Sequence, residues 1–206
     1  PGNVGAAAPR QLVVIDPLLD NIALLANEVS GPGIDLLTLA DDTDPLAQIE
    51  AALGQSGRVS AVHILSHGSA GQFTLSGLAI DHDLVTARSQ DIARWGELLT
   101  DDATIFLYGC NLAESAAGRS LVDQLAELTG AQLAASSDLT GNPLLGGDWQ
   151  LEYQTGLVEA TSSLVVPSYP GLLEVQDQLV IYVASVSSAT SVRIDSGAAN
   201  PGPDGN

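Results

Sequence analysis

Two short segments contain the residues best suited to chemistry, Ser66-His67-Gly68 and Tyr108-Gly109-Cys110. Each follows an apolar run typical of a buried strand, VSAVHIL before the first and ATIFL before the second. Ligands and catalytic groups collect at the carboxyl ends of the strands of an open parallel sheet. If the two strands are neighbours, His67 and Cys110 meet at that edge, and a thiol beside an imidazole is the minimum for nucleophilic catalysis.

Cys110 is the only cysteine in the chain. A thiol with an ordinary pKa of about 8.5 is mostly protonated at neutral pH, so nucleophilic attack needs a nearby base, which His67 would supply. The backbone amides at Gly68 and Cys110 would point into the same site and bind a developing oxyanion. The segments therefore predict a catalytic dyad of His67 and Cys110, with an oxyanion hole formed at Gly68 and Cys110.

The elements that must position these residues alternate between strand and helix. Asp44 and Pro45 suit the cap and the first residue of a helix, and Ser76-Gly77 suits the turn of a β-hairpin over residues 72–81. Five β-then-α units with short connections predict an α/β fold, a three-layer α/β/α sandwich with a mainly parallel sheet. The predicted strands are 11–16, 34–39, 59–65, 103–107, 132–136, 149–154 and 164–170. The predicted helices are 18–29, 44–53, 83–99 and 118–128, and the third is capped by Asp83 and interrupted by Gly96.

The composition divides the chain into three parts. Residues 1–10 are rich in Gly, Ala and Pro and are interpreted as a lead-in segment. Residues 11–174 carry the strand and helix patterns of the α/β domain. Residues 175–206 end in Asn-Pro-Gly-Pro-Asp-Gly-Asn, which is typical of a linker toward a following module.

The charge of the chain limits its partners. The chain has 25 acidic residues against six basic ones, all arginine, and a formal net charge of −19. Phosphate binding needs positive charge, so a nucleic acid or an anionic membrane is not expected as a partner. No required cofactor and no specific metal site are predicted, although the many carboxylates could bind calcium. No apolar run approaches the roughly 18 residues of a membrane span, and no leader peptide is seen at the start.

Four motifs in this order, HILSHGSAG, LYGCNLA, AASSDLTG and GGDWQLE, resemble domain-of-unknown-function family 4347, which is found in large bacterial surface and repeat proteins. A strand ending in His-Gly and a second ending in Gly-Cys also resembles the caspase-like cysteine peptidases. The resemblance implies a caspase-like fold with His67 and Cys110 as the dyad and Gly68 as an oxyanion-hole donor. It implies further that Ser136, Ser137 and Asp138 help form the pocket for the residue before the cut.

These observations favour a cysteine endopeptidase in a secreted or cell-surface bacterial protein. An acidic Asp138 in the pocket would favour Arg before the scissile bond. The polypeptide substrate could be the parent chain, with Arg193 as a candidate cleavage site and Arg10 as a second. The alternative is a non-catalytic interaction, secretion or retention module of a large adhesin, and a third hypothesis is a redox-sensing thiol at Cys110.

The remaining candidate residues have structural interpretations. His63 is expected to be packed or hydrogen-bonded, and His82, between two aspartates, is expected to be solvated. A zinc site formed by the three histidines is not specified by their spacing. Trp149 is interpreted as a packing residue, and Asp138 has the alternative role of forming a turn.

Overall fold

A six-stranded sheet forms the centre of the fold. In order across the sheet, its strands are Ile34–Thr38, Arg10–Ile15, Val59–Leu65, Leu99–Tyr108, Gln132–Ala135 and Tyr153–Gln154. The computed structural model describes residues 10–158 and 163–174, so the predicted lead-in before Arg10, the tail after Glu174 and the candidate cleavage site Arg193 lie outside the described residues. The strands in the described part of the chain are β1 (Arg10–Ile15), β2 (Ile34–Thr38), β3 (Val59–Leu65), β4 (Gly68–Ser69), β5 (Gln72–Leu75), β6 (Leu78–Ile80), β7 (Leu99–Tyr108), β8 (Gln132–Ala135) and β9 (Tyr153–Gln154). The helices there are α1 (Ile22–Val29), α2 (Pro45–Ser56), α3 (His82–Ala87), α4 (Ser89–Glu97) and α5 (Ala116–Thr129).

The first five strands of the central sheet run parallel, and only β9 is antiparallel. The predicted mainly parallel sheet is therefore confirmed. Because β3 pairs directly with β7, the segments that follow these strands lie side by side at the carboxyl edge. The same edge receives the segment after β1, on one side of His67, and the loop after β8, on the far side of Cys110.

Alternating residues along the strands face two apolar layers. Leu12, Val62 and Ile105 pack with α2, α3, α4 and α5 on one face. Val13, Leu65 and Phe106 pack on the other face with α1 and with apolar residues of the segment from Trp149 to Leu173. Helices thus lie on both faces, as an α/β/α sandwich requires, although irregular chain covers much of the second face.

Local sequence chemistry explains where several elements begin. The Asp44 side chain accepts a hydrogen bond from the Leu46 amide at 3.0 Å, with Pro45 at the first helical position, as predicted. The β5–β6 hairpin turns at Ser76 and Gly77, whose φ values of 50° and 78° suit a tight turn. It extends through β4, just after His67, into a separate three-stranded sheet.

Three predictions about elements were wrong in detail. The single helix expected over residues 83–99 is two helices, and the first is capped by Asp81, whose side chain accepts from the Leu84 amide at 2.8 Å. The strand expected over residues 149–154 is reduced to β9, and residues 164–170 form no strand among the described residues. Arg10, assigned to the lead-in from the sequence, instead begins β1 and pairs with Asp35 at 2.7 Å, so a cut after Arg10 would fall within the first strand.

None of the helices in the described ranges is long and apolar enough to cross a membrane.

Candidate active site

His67 follows β3 at the carboxyl edge of the sheet, and its side chain contacts the segment after β1. Its Nε2 lies 3.2 Å from the Leu18 carbonyl oxygen. A carbonyl can only accept, so Nε2 donates and carries the proton of the neutral ring, which leaves the lone pair on Nδ1. Nδ1 is buried and has no hydrogen-bond partner among the described residues. The ring is therefore held in the tautomer that a general base at Nδ1 requires.

Asp16, the residue after β1, holds the backbone at Leu18, to which His67 is bonded, and was not recognised from the sequence as a site residue. Its carboxylate is fully buried and accepts from the Leu18 amide at 2.9 Å and the Ser76 amide at 3.3 Å. Burial raises the pKa of Asp16, and the backbone hydrogen bonds from Leu18 and Ser76, together with the charge that His67 carries when protonated, partly offset that rise. An acid immediately after β1, at the same sheet edge as His67, was the sequence feature that could have revealed it.

Cys110 follows β7, and its side chain contacts the loop after β8, on the opposite side from the segment that His67 contacts. Its Sγ is fully buried, accepts from the Thr140 amide at 3.2 Å and donates to the Thr140 carbonyl at 3.5 Å. Burial raises the pKa of Cys110 to about 11, partly offset by the backbone hydrogen bond from Thr140. The thiol is therefore neutral at pH 7 in this conformation, and a fully buried neutral thiol is a poor redox sensor.

The two segments touch, but the two side chains are not hydrogen-bonded to each other. A Cβ added at Gly68 would lie 2.6 Å from the Gly109 carbonyl carbon, so only glycine allows the backbones to approach this closely. Neither described partner of the Cys110 Sγ is His67. The prediction that the fold brings the two segments together is supported, and formation of the dyad requires the thiol to turn away from Thr140.

The amides predicted to form the oxyanion hole converge on one oxygen. The Gly68 and Cys110 amides donate to the Leu173 carbonyl at 2.9 Å and 3.1 Å. The position of Leu173 was not predicted, since it lies beyond the edge strand expected over residues 164–170 and has no motif of its own. Two amides that point at one carbonyl oxygen are the arrangement that stabilises an oxyanion during acyl transfer.

The predicted pocket loop lies directly beside Cys110. The Asp138 carbonyl accepts from the Asn111 amide at 2.6 Å, and the buried Ser136 hydroxyl donates to the same carbonyl at 2.9 Å. Ser137 donates to Glu152 at 2.8 Å through its amide. The loop is thus a turn that supports the segment after Cys110, and the side chain of Asp138 is exposed.

The Asp138 carboxylate belongs to an acidic cluster with Asp148 and Glu152, whose nearest oxygens all lie within 4.8 Å of one another. Burial and the two neighbouring carboxylates raise the pKa of Asp138. Such a cluster is compatible with either calcium or a basic side chain of a substrate. Calcium binding and the preference for Arg therefore stay predictions.

The other histidines do not share this site. His63 is fully buried and stacks on Phe106 with a ring separation of 4.7 Å, as a packed histidine should. His82 is the first residue of α3, with about half of its side chain exposed (54%). Within residues 10–158 and 163–174, the three histidines form no common set of metal ligands.

A cavity of about 420 Å³ lies on the second face of the sheet, and its lining includes Phe106, Trp149 and Val158 but neither His67 nor Cys110. It is therefore separate from the site at the carboxyl edge.

Comparisons with known proteins identify the family. None of the curated proteins matches the chain. A solved structure titled "Crystal structure of a small-chain dehydrogenase" aligns with a TM-score of 0.33 and 12% sequence identity, over 60% of this chain and 78% of that chain. The family model described as "Domain of unknown function (DUF4347)" matches residues 12–173. The chain therefore belongs to the DUF4347 family of domains of unknown function.

Proposed function

We propose that this domain is a cysteine endopeptidase of caspase-like architecture that uses His67 as the base and Cys110 as the nucleophile. The observation that carries the proposal is the convergence of the Gly68 and Cys110 amides on one carbonyl oxygen, at 2.9 Å and 3.1 Å, beside the only thiol of the chain. An oxyanion hole next to a cysteine favours acyl transfer over redox or binding roles. The order of the motifs along the chain, and the resemblance to caspase-like peptidases, agree with this assignment.

The mechanism follows from the arrangement of donors and acceptors. The Leu18 carbonyl keeps the proton of His67 on Nε2, so Nδ1 is free to take the thiol proton once Cys110 turns from Thr140. The thiolate attacks a peptide carbonyl carbon, and the oxyanion accepts from the Gly68 and Cys110 amides. The protonated His67 then gives its proton to the departing amine. Water hydrolyses the thioester and regenerates the thiol.

The raised pKa of Cys110 makes the base necessary. A thiol with a pKa of about 11 is almost entirely protonated at pH 7. Transfer of its proton to His67 gives an ion pair in which the imidazolium stabilises the thiolate. The neutral thiol on Thr140 is then the resting state, and we expect a substrate to favour its rotation.

We place this peptidase in a secreted or cell-surface bacterial protein, where a polypeptide, including the parent chain, is the substrate. The resemblance to domains of large surface proteins supports this setting, and so does the strongly acidic composition. The mechanism above requires no cofactor, although calcium at the Asp138 cluster could influence the pocket.

The test is to incubate the 206-residue chain with a peptide library and to sequence the products, with and without calcium. We expect cleavage that is lost in Cys110→Ala and in His67→Ala but kept in His82→Ala, because His82 is exposed and outside the site. Cleavage after Arg would place Asp138 in the specificity pocket, whereas cleavage after an apolar residue would exclude that role. Equal products from the parent and Cys110→Ala, or no cleavage of either the library or the chain itself, would favour the non-catalytic module of an adhesin.

A further inference from the structure

The last described residues of the chain cross the candidate active site. We call residues 171–174 the strap. The Leu173 amide donates to the Thr140 carbonyl at 2.9 Å, and the Asn142 amide donates to the Gly171 carbonyl at 2.9 Å. Gly141 and Leu172 are antiparallel bridge partners. The strap therefore adds an extended strand to the loop after β8, which is how many proteins hold a peptide ligand by its backbone.

The carbonyl group of Leu173, in the strap, lies in the proposed oxyanion hole. The carbonyl oxygen of Leu173 accepts from both the Gly68 and the Cys110 amide. The Leu173 amide and the Cys110 thiol both donate to the Thr140 carbonyl, at 2.9 Å and 3.5 Å, so the sulfur and the Leu173 nitrogen lie close to the same oxygen. The charge of Glu174 is also close enough to raise the pKa of Cys110, after the larger effect of burial.

The side chains on either side of this peptide group differ as a cleavage site would require. Leu173 is fully buried and belongs to the same apolar cluster as Cys110, Trp149 and Tyr169. Glu174 is exposed to solvent. The residue before the bond is thus held in an apolar pocket, while the residue after it faces water and can leave.

We infer that the Leu173–Glu174 peptide bond is the in-cis substrate of this site, and that the domain cuts itself there with specificity for an apolar residue before the bond. This inference rests on the proposed cysteine peptidase function and specifies its substrate. The Cys110 sulfur forms a bond to the Leu173 carbonyl carbon, and the C–N bond to Glu174 breaks. The Glu174 nitrogen takes the proton that His67 received from the thiol. Water then cleaves the thioester and leaves a free carboxylate on Leu173.

The experiment measures the intact mass of the purified 206-residue chain over time at pH 8. We expect one fragment that ends at Leu173 and one that begins at Glu174, with neither from Cys110→Ala. Leu173→Met keeps an apolar side chain of similar volume and should be cut, whereas Leu173→Asp should be cut at least about tenfold more slowly, because a carboxylate does not fit an apolar pocket.

A second pair of variants avoids the buried core. Glu174→Pro replaces the amide nitrogen that would depart from Leu173 with the ring nitrogen of proline, and it should abolish cleavage of the bond after Leu173. None of the strap hydrogen bonds described above uses the Glu174 amide, so the fold should survive this change. Glu174→Gln keeps the amide and should be cut. Arg193→Ala should also be cut at the same bond as the parent.

Three outcomes would overturn the inference: fragments with other termini, fragments from Cys110→Ala, or equal rates for Glu174→Pro and Glu174→Gln. The peptide-library assay on the same samples separates this failure from failure of the proposed function. If library peptides are cut in a Cys110-dependent way while the Leu173–Glu174 bond stays intact, the peptidase function stands and the self-cleavage inference is wrong. If neither is cut, both are wrong.

Discussion

Protonation of His63 should lower the free energy of unfolding of this domain as the pH falls. His63 lies on β3, fully buried between Phe106, on which its ring stacks, and the Tyr108 hydroxyl, 3.4 Å from Nδ1. Its Nε2 lies 3.2 Å from the Gln11 side-chain oxygen. The neutral ring can therefore donate from Nε2 to Gln11 and accept at Nδ1 from the Tyr108 hydroxyl. Burial lowers the pKa of His63 from 6.5 to about 4.

The sign and size of the effect follow from linkage. The unfolded chain binds a proton at His63 below about pH 6.5, whereas the folded chain does so only near pH 4, so the stabilising contribution is full above pH 6.5 and is lost as the pH falls to 4. At 1.36 kcal/mol for each pKa unit, the loss in free energy of unfolding between pH 7 and pH 4 amounts to about 3 kcal/mol.

Urea unfolding at pH 7, 6, 5 and 4 would measure this loss in the parent chain, in His63→Gln and in His82→Gln. Carboxylates such as Asp35, whose pKa is lowered by hydrogen bonds from Arg10, also contribute to acid unfolding. Their contribution is common to all three proteins and cancels in the comparison. The curve of His63→Gln should be flatter by about 3 kcal/mol, and that of His82→Gln should follow the parent. If His63→Gln lost as much stability as the parent between pH 6.5 and 4, the assignment of a neutral buried His63 would be wrong.

Further predictions concern substitutions at four positions. Gly54 lies in α2, and a Cβ added there would have nothing within 4 Å, so Gly54→Ala should raise the free energy of unfolding by about 0.5–1 kcal/mol in the same urea assay. A Cβ added at Gly96 would lie 2.2 Å from the Thr129 carbonyl oxygen, so Gly96→Ala should lower the free energy of unfolding by about 1–3 kcal/mol. Gly68→Ala should force the Gly68 and Gly109 backbones apart and reduce Cys110-dependent peptide cleavage about a hundredfold or more; near-parent cleavage would contradict the oxyanion role of the Gly68 amide. Asp16→Asn removes a buried carboxylate, and burial raises the pKa of Asp16, so the variant should melt at a higher temperature than the parent at pH 7. This advantage should shrink as the pH falls and should be lost below pH 3.8, the ordinary pKa of the group, where the carboxyl is neutral in both the folded and the unfolded chain. The same variant should cleave peptides more slowly if the charge of Asp16 helps stabilise protonated His67.

Much of the architecture could be predicted from local patterns. Apolar runs with β-branched residues identified the five parallel strands within one or two residues at most ends, apart from the long extension of β7 toward its start. The cap at Asp44-Pro45 and the turn at Ser76-Gly77 were correct, because each depends on the chemistry of a few neighbouring residues. The helix expected over residues 83–99 was wrong in two respects, because Asp81 and not Asp83 is the cap and because the break falls at Arg88 and not at Gly96. At the break between the two helices, Arg88 forms ion pairs with Asp91 and with Asp44. Asp44 lies far from Arg88 in the sequence, so local patterns do not reveal this contact.

Only part of the candidate site could be predicted from the sequence. His67, Gly68 and Cys110 could be identified because each follows a strand and strand ends converge in a parallel sheet. Asp16 could have been identified by the same rule. The directions in which His67 and Cys110 lean could not, since they depend on which carbonyl, Leu18 or Thr140, lies within reach of each side chain.

The sequence by itself therefore determined the fold class, the family and the positions of the imidazole, the thiol and their flanking amides along the chain. Only the tertiary structure decided what those amides bind. Leu173 lies more than sixty residues after Cys110 and has no local motif, yet its carbonyl is the shared acceptor of the Gly68 and Cys110 amides. Such a contact depends on how described apolar residues of this part of the chain, among them Trp149, Val166 and Tyr169, pack on the second face of the sheet. That packing is a property of distant apolar surfaces, which no short stretch of sequence encodes.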